Sequence, residues 1–308
     1  MKLDDACLGV AYVTLNTTIL PLYVAFLMMF ASKKPYNSST TFRIMFCLGV
    51  LECLQMLSGI HAGFMTLAQT ANHDFFERIS GALNCVGLFG RPMFLLVLAV
   101  NRLTVILDLR ISTRVNQRLF KTLLTTAIAL CLWHFSYRLT DVGRADFSLE
   151  FSVFTPHQPH PGIVGILFRQ TARNLSLATI ILSCVVDFCI FIYIVLKRKP
   201  TKLRATDLPI VFQALVTLGH VLFVQCGTSS FYADVLKDRF WNIVFVLWLN
   251  VLSTSNPLFY LLFVRSLRQD LFSFIGLKKQ KCVVVSVCGP SSVKGHSKRE
   301  RSTISRHR

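Results

Sequence analysis

Apolar positions along the chain gather into seven long blocks separated by short polar segments. They run roughly Leu8–Ala31, Phe42–Ala68, Ile79–Asn101, Thr122–Leu139, Leu175–Leu196, Leu208–Cys226 and Trp241–Val264. Each reaches or approaches the ~20 residues that span a ~30 Å hydrocarbon core. Within a block the apolar run is near-continuous, which predicts helices that satisfy their own backbone hydrogen bonds in lipid. The expected fold class is therefore an all-α membrane protein, a seven-transmembrane helical bundle. The shorter apolar run from Ile163 to Phe168 is flanked by Pro159, Pro161 and Arg169, and reads as part of a folded external loop. From residue 276 the chain turns basic and Ser-rich and lacks the apolar content to fold. Residues 1–275 are thus expected to form the bundle, and 276–308 a disordered cytoplasmic tail. No internal repeat is visible.

Composition supports the membrane reading. Hydrophobic residues make up 53% of the chain and charged residues 16%, with a mean hydropathy of +0.54. A soluble domain carries about a quarter charged residues. The net charge of +18 would suit nucleic acid, but the basic residues lie in short segments between apolar blocks. With the N-terminus outside, the cytoplasmic segments hold 24 of the 33 Lys and Arg, the outer segments hold eight, and Arg91 lies inside the third block. That is the positive-inside distribution rather than a phosphate-binding face. The first block is too long for a signal-peptide core, and Asp4 and Asp5 precede it in place of a basic segment. Most of the ten cysteines sit inside apolar blocks, and none has metal-ligand spacing, so neither a metal nor another cofactor is expected. No nucleophile–base set suggests an enzyme.

Charges at membrane depth usually face the bundle interior and mark function. There are three: Glu52 in the second span, Arg91 in the third and Asp187 in the fifth. Glu52 and Arg91 can neutralise each other if they share a depth, whereas Asp187 has no evident partner. His61, His134 and His220 are scattered over different spans and read as satisfied polar residues rather than ligands.

Further motifs carry a family resemblance. The seventh span ends Ser255-Asn256-Pro257-Leu258-Phe259-Tyr260, and the third ends Leu98-Ala99-Val100-Asn101-Arg102-Leu103. The second holds Leu48-Gly49-Val50-Leu51-Glu52, and Arg265 to Phe272 follows the seventh as an amphipathic segment with Leu267, Leu271 and Phe274 on one face. In this order they resemble the Asn-Pro-x-x-Tyr, Asp-Arg-Tyr and Leu-x-x-x-Asp motifs and eighth helix of rhodopsin-like G-protein-coupled receptors. Leu22-Tyr23, Phe42 to Val50 and Ile79 to Leu83 are similar to the nematode serpentine chemoreceptors, of class t or a sister class.

The resemblance implies roles. Asn101 and Arg102, with Asn256, Pro257 and Tyr260, would form the activation and G-protein-coupling residues, Arg102 engaging the sixth span at rest. Glu52 would occupy the central polar site where such receptors hold sodium, and Arg91, about three turns before Arg102, would replace the ion as its partner. The ligand pocket would draw on Asn84, Phe89, Gln225, Trp241 and Trp248, which suits a small neutral cue better than an amine. Partners would be a small-molecule cue, a heterotrimeric G-protein and membrane lipid, in the plasma membrane of a sensory neuron. Cys282 and Cys288 would be lipidation sites in the basic tail.

Three departures stand against full equivalence. Asn101 replaces the acid beside Arg102, the sixth span lacks an interior proline, and the outer loop 140–174 has no cysteine to tether it. A receptor-like protein that no longer couples is therefore one alternative, and a transporter or ligand-gated channel another. The latter is disfavoured by the lack of an inverted repeat or of paired Gly/Pro-broken midplane helices.

Overall fold

The computed structural model describes residues 3–70, 74–107, 113–149, 152–156, 162–197 and 239–276, together with the single position 219. Eight helices are described: α1 (Leu3–Ser32), α2 (Lys34–Asn37), α3 (Thr40–Ala68), α4 (Asp74–Ile106), α5 (Thr113–Arg138), α6 (Ile163–Lys197), α7 (Arg239–Phe263) and α8 (Arg265–Phe274). Between α5 and α6, β1 (Ala145–Ser148) and β2 (Val153–Pro156) pair antiparallel, with Phe147 opposite Phe154. Helices α1, α3, α4, α5 and α6 are each long and apolar enough to cross a membrane. Apart from Gly219, the sixth expected span, with Gln225, Cys226 and His220, lies outside the described residues, as does the tail with Cys282 and Cys288.

Several helices are longer than their apolar blocks, because polar turns extend them past the hydrocarbon. α5 begins at Thr113 and α4 at Asp74. The largest difference is in α6. The run Ile163–Phe168, expected in a loop, is instead the first two turns of a 35-residue helix continuing into the fifth span. The intervening Arg169, Gln170, Arg173 and Asn174 had the polarity of a loop, but a helix satisfies its backbone whether its side chains meet water or lipid.

Helix pairing follows small residues. On α1 the buried positions Leu8, Tyr12, Ile19, Tyr23, Phe26 and Phe30 form one stripe against α3 and α7. At Gly63 of α3 an added Cβ would lie 2.8 Å from both Tyr12 Cβ and Val13 Cγ2, so the two backbones approach as only a small residue allows. At one end of the bundle the hairpin packs Phe147 and Phe154 onto Leu8, Tyr12, Ala62 and Met65. At the other, Leu267 and Leu271 of α8 bury against Phe26, Phe30, Tyr36 and Tyr260.

The hairpin is anchored to α4 without a disulfide. Glu77 Oε1 accepts the Phe147 backbone N–H at 2.6 Å, Arg78 bridges Asp141 at 2.8 Å, and Arg144 pairs with Asp74 and Asp146. Tyr12 adds a bond from α1, its hydroxyl donating to the Ser152 carbonyl at 3.3 Å. Strand β1 lies directly on Gly81, where a Cβ would sit 2.3 Å from the Ala145 carbonyl oxygen. Gly81→Val should therefore lift the hairpin while leaving the bundle folded. Hydrogen–deuterium exchange would show this as loss of protection at 145–156 with α4 unchanged; retained protection would mean the backbones are not so close.

Candidate functional site

The centre of the bundle is a buried carboxylate. Glu52, on α3, has no solvent exposure and receives donors from three other helices. Arg91 Nη2 of α4 and Asn256 Nδ2 of α7 each donate to Oε1 at 2.6 Å, and the Tyr23 hydroxyl of α1 donates to Oε2. Glu52 and Arg91 are therefore in ion-pair contact in the core, with Tyr23 and Asn256 completing the carboxyl group's partners. The structure thus brings together both members of the central polar pair and Asn256 from the seventh-span motif.

Each donor lies within two residues of a proline. Tyr23 is two residues after Pro21, Arg91 precedes Pro92, and Asn256 precedes Pro257, all inside continuous helices. Proline removes one intrahelical N–H and crowds the carbonyl four residues back, weakening the ladder at that turn. Among the described residues, α3, which supplies the acceptor, carries no internal proline. The acceptor is thus held on an uninterrupted helix, and the donors on helices able to adjust locally.

A second polar contact lies toward the hairpin end. Asn16 Nδ2 of α1 donates to Asn250 Oδ1 of α7 at 2.9 Å and to the Tyr12 carbonyl at 2.8 Å. Sequence reasoning assigned no role to Tyr23, Asn16 or Asn250. Their signal was a polar side chain in an apolar block, which for tyrosine does not distinguish a buried donor from an interfacial ring.

Toward the α8 end, Asn101 is buried and its amide donates to Thr41 Oγ1 of α3 at 2.6 Å. Arg102 is half-buried and interacts electrostatically with Asp187 of α6 and Tyr260 of α7. Tyr260 is buried, edge-on to Phe26 at 5.9 Å. Beyond it, Tyr36 of α2 donates its hydroxyl to Asp270 of α8, while Lys33 Nζ donates to the Asp270 carbonyl at 3.1 Å. Burial, and then this hydrogen bond, push the Tyr36 phenol well above its usual pKa, so it remains a donor at neutral pH.

Of the ligand-pocket candidates, Asn84, Phe89, Trp241 and Trp248 lie on described helices, and Gln225 lies outside the described residues. Phe89 stacks on His134 of α5, ring centroids 4.3 Å apart, within a cluster that includes Phe168 and Ala172. Asn84 is half-buried on α4, whereas Trp241 and Trp248 on α7 are 52% and 37% exposed.

A bundle of apolar membrane-length helices tied through a buried ion pair is the architecture of a multi-pass membrane protein. The chain belongs to the serpentine type 7TM GPCR chemoreceptor Srt family, whose model matches residues 2–283. No curated protein matches it. Membership fixes the fold as a seven-transmembrane helical bundle and the general class as a chemosensory G-protein-coupled receptor rather than an enzyme family.

The ion pair makes an asymmetric prediction. Removing one partner of a buried pair costs ~3–5 kcal/mol. Arg91→Leu leaves Glu52 with two donors and the option of protonating. Glu52→Leu strands a guanidinium that cannot lose its charge. Surface expression measured by flow cytometry should fall most for Glu52→Leu, less for Arg91→Leu and least for the double variant. Equal loss in all three would exclude the pairing as the cause.

Proposed function

We propose that the protein binds a small, neutral chemical cue among the helices at the hairpin end and relays it to a heterotrimeric G-protein at the α8 end. In this reading the hairpin faces the outside of the plasma membrane, with the N-terminus, and the basic loops and tail face the cytoplasm. The observation that carries it is the Glu52 centre, where four helices meet at one carboxylate and each donor lies on a helix with an internal proline. Movement of any donor helix changes what the others bond to, which is how a bistable bundle couples two ends. Asn256, Pro257 and Tyr260 then serve as the movable part of α7, and Arg102 and Asn101 as the coupling residues. The neutral cue is supported by the core, where Glu52 is engaged by Arg91 and so is not available to an ammonium group.

A ligand-gated channel or transporter fits less well, because the family is a receptor family and the sequence carries no inverted repeat. The test is expression in cultured cells challenged with a panel of volatile and water-soluble compounds, reading cyclic nucleotide and calcium. A response lost in Arg102→Ala at unchanged surface level is the expected outcome. Ligand-gated current without a G-protein would favour the channel. An epitope tag at the N-terminus should be stained on intact cells; staining only after permeabilisation would reverse the orientation.

A further inference from the structure

The neighbour of Arg102 in sequence, Asn101, carries no charge and directs its amide to Thr41. Yet Arg102 is only half exposed at the α8 end, and a guanidinium there needs a counter-charge. The packing of α4 against α6 supplies one. Phe168 and Ala172 of α6 share a cluster with Val86 and Phe89 of α4, and Ile190 packs with Leu103 and Ile106. The two helices therefore run parallel and in fixed register.

One helical turn back from Ile106 on α4 is Arg102, and one turn back from Ile190 on α6 is Asp187. The register brings them to the same depth. Asp187 is 6% exposed and belongs to a buried stripe with Ser176, Ile180, Ser183 and Ile190, so its carboxylate faces the bundle rather than lipid. Arg102 and Asp187 interact electrostatically with each other. Resting on the receptor reading above, we infer that Asp187 is the resting counter-charge of Arg102, restraining it across the α4–α6 seam. The restraint thus runs from the third span to the fifth, on a helix that the sequence had left without a role for its charge.

The two groups are not in the direct contact that joins Glu52 to Arg91, so their coupling is the weaker of the two. A restraint of that strength suits a contact that must yield on activation. Release of Arg102 from Asp187 would free the guanidinium for the G-protein.

Two readouts on the full-length receptor test this. The first is the thermal midpoint in detergent of Asp187→Asn, Arg102→Gln and the double variant. Each single change should lower the midpoint by several degrees, and the double should be no worse than the worse single, since no charge is then stranded. The second is ligand-independent loading of a slowly hydrolysed GTP analogue onto purified heterotrimers. Asp187→Asn should raise it several-fold, and Asp187→Glu should keep it low. Additive thermal losses would overturn the pair. Unchanged basal loading in Asp187→Asn, in a receptor whose loading depends on Arg102, would overturn the resting restraint. If no variant and no wild-type preparation loads any heterotrimer, the coupling reading falls, and the thermal cycle alone decides the pair.

Discussion

The structure depends on where the charge of Glu52 is neutralised. An uncompensated carboxylate in a membrane bundle is costly, and here it is met by one cation and two neutral donors from three helices. The arrangement fixes rotation and depth together. A slip of any helix by one residue turns its donor by ~100° and removes it from the carboxylate. Apolar packing in lipid is far less selective, because tails are as apolar as Leu and offer little reason to prefer one register. Specificity of the bundle therefore rests on this polar centre, on the Asn16–Asn250 contact toward the hairpin, and on the close approach at Gly63.

The two ends of the bundle are finished by different means. At the hairpin end, strand pairing and a set of carboxylate contacts to α4 do what a disulfide would otherwise do. Glu77 binds a backbone N–H rather than a side chain, so it fixes the strand's position as well as its presence. At the α8 end the seal is aromatic, with Phe26, Phe30, Tyr36 and Tyr260 packed over Leu267 and Leu271. Tyr36 and Lys33 then hold Asp270 from the α2 side. Between the two ends lie the proline-bearing stretches of α1, α4 and α7, where the helical ladder is weakened.

Much of this was legible in the sequence, for identifiable reasons. Span positions are written in hydropathy, and a Glu52–Arg91 contact could be expected because Arg91 is the one Lys or Arg well away from the ends of an apolar block. Asn256 could be placed in a motif but not on Glu52, since helix rotation is not visible without the packing. Tyr23 was hidden because a tyrosine in an apolar block has several uses. The hairpin was missed because 140–162 mixes charges, Gly and aromatics without a clean alternation. The first turns of α6 read as loop because the run is short and flanked by Pro159, Pro161 and Arg169, whereas the polar residues after it lie within one continuous helix. Asp187 had no visible partner because its counter-charge lies at the end of another span and becomes adjacent only through the α4–α6 register.

The central claim, that an ionised Glu52 organises the bundle, is most directly tested by infrared difference spectroscopy of the purified receptor against Glu52→Gln at neutral pH. The account predicts that the substitution removes intensity from the carboxylate stretching bands. Loss of a protonated-acid carbonyl band in its place would contradict it, because a neutral Glu52 could not serve as the counter-charge of Arg91.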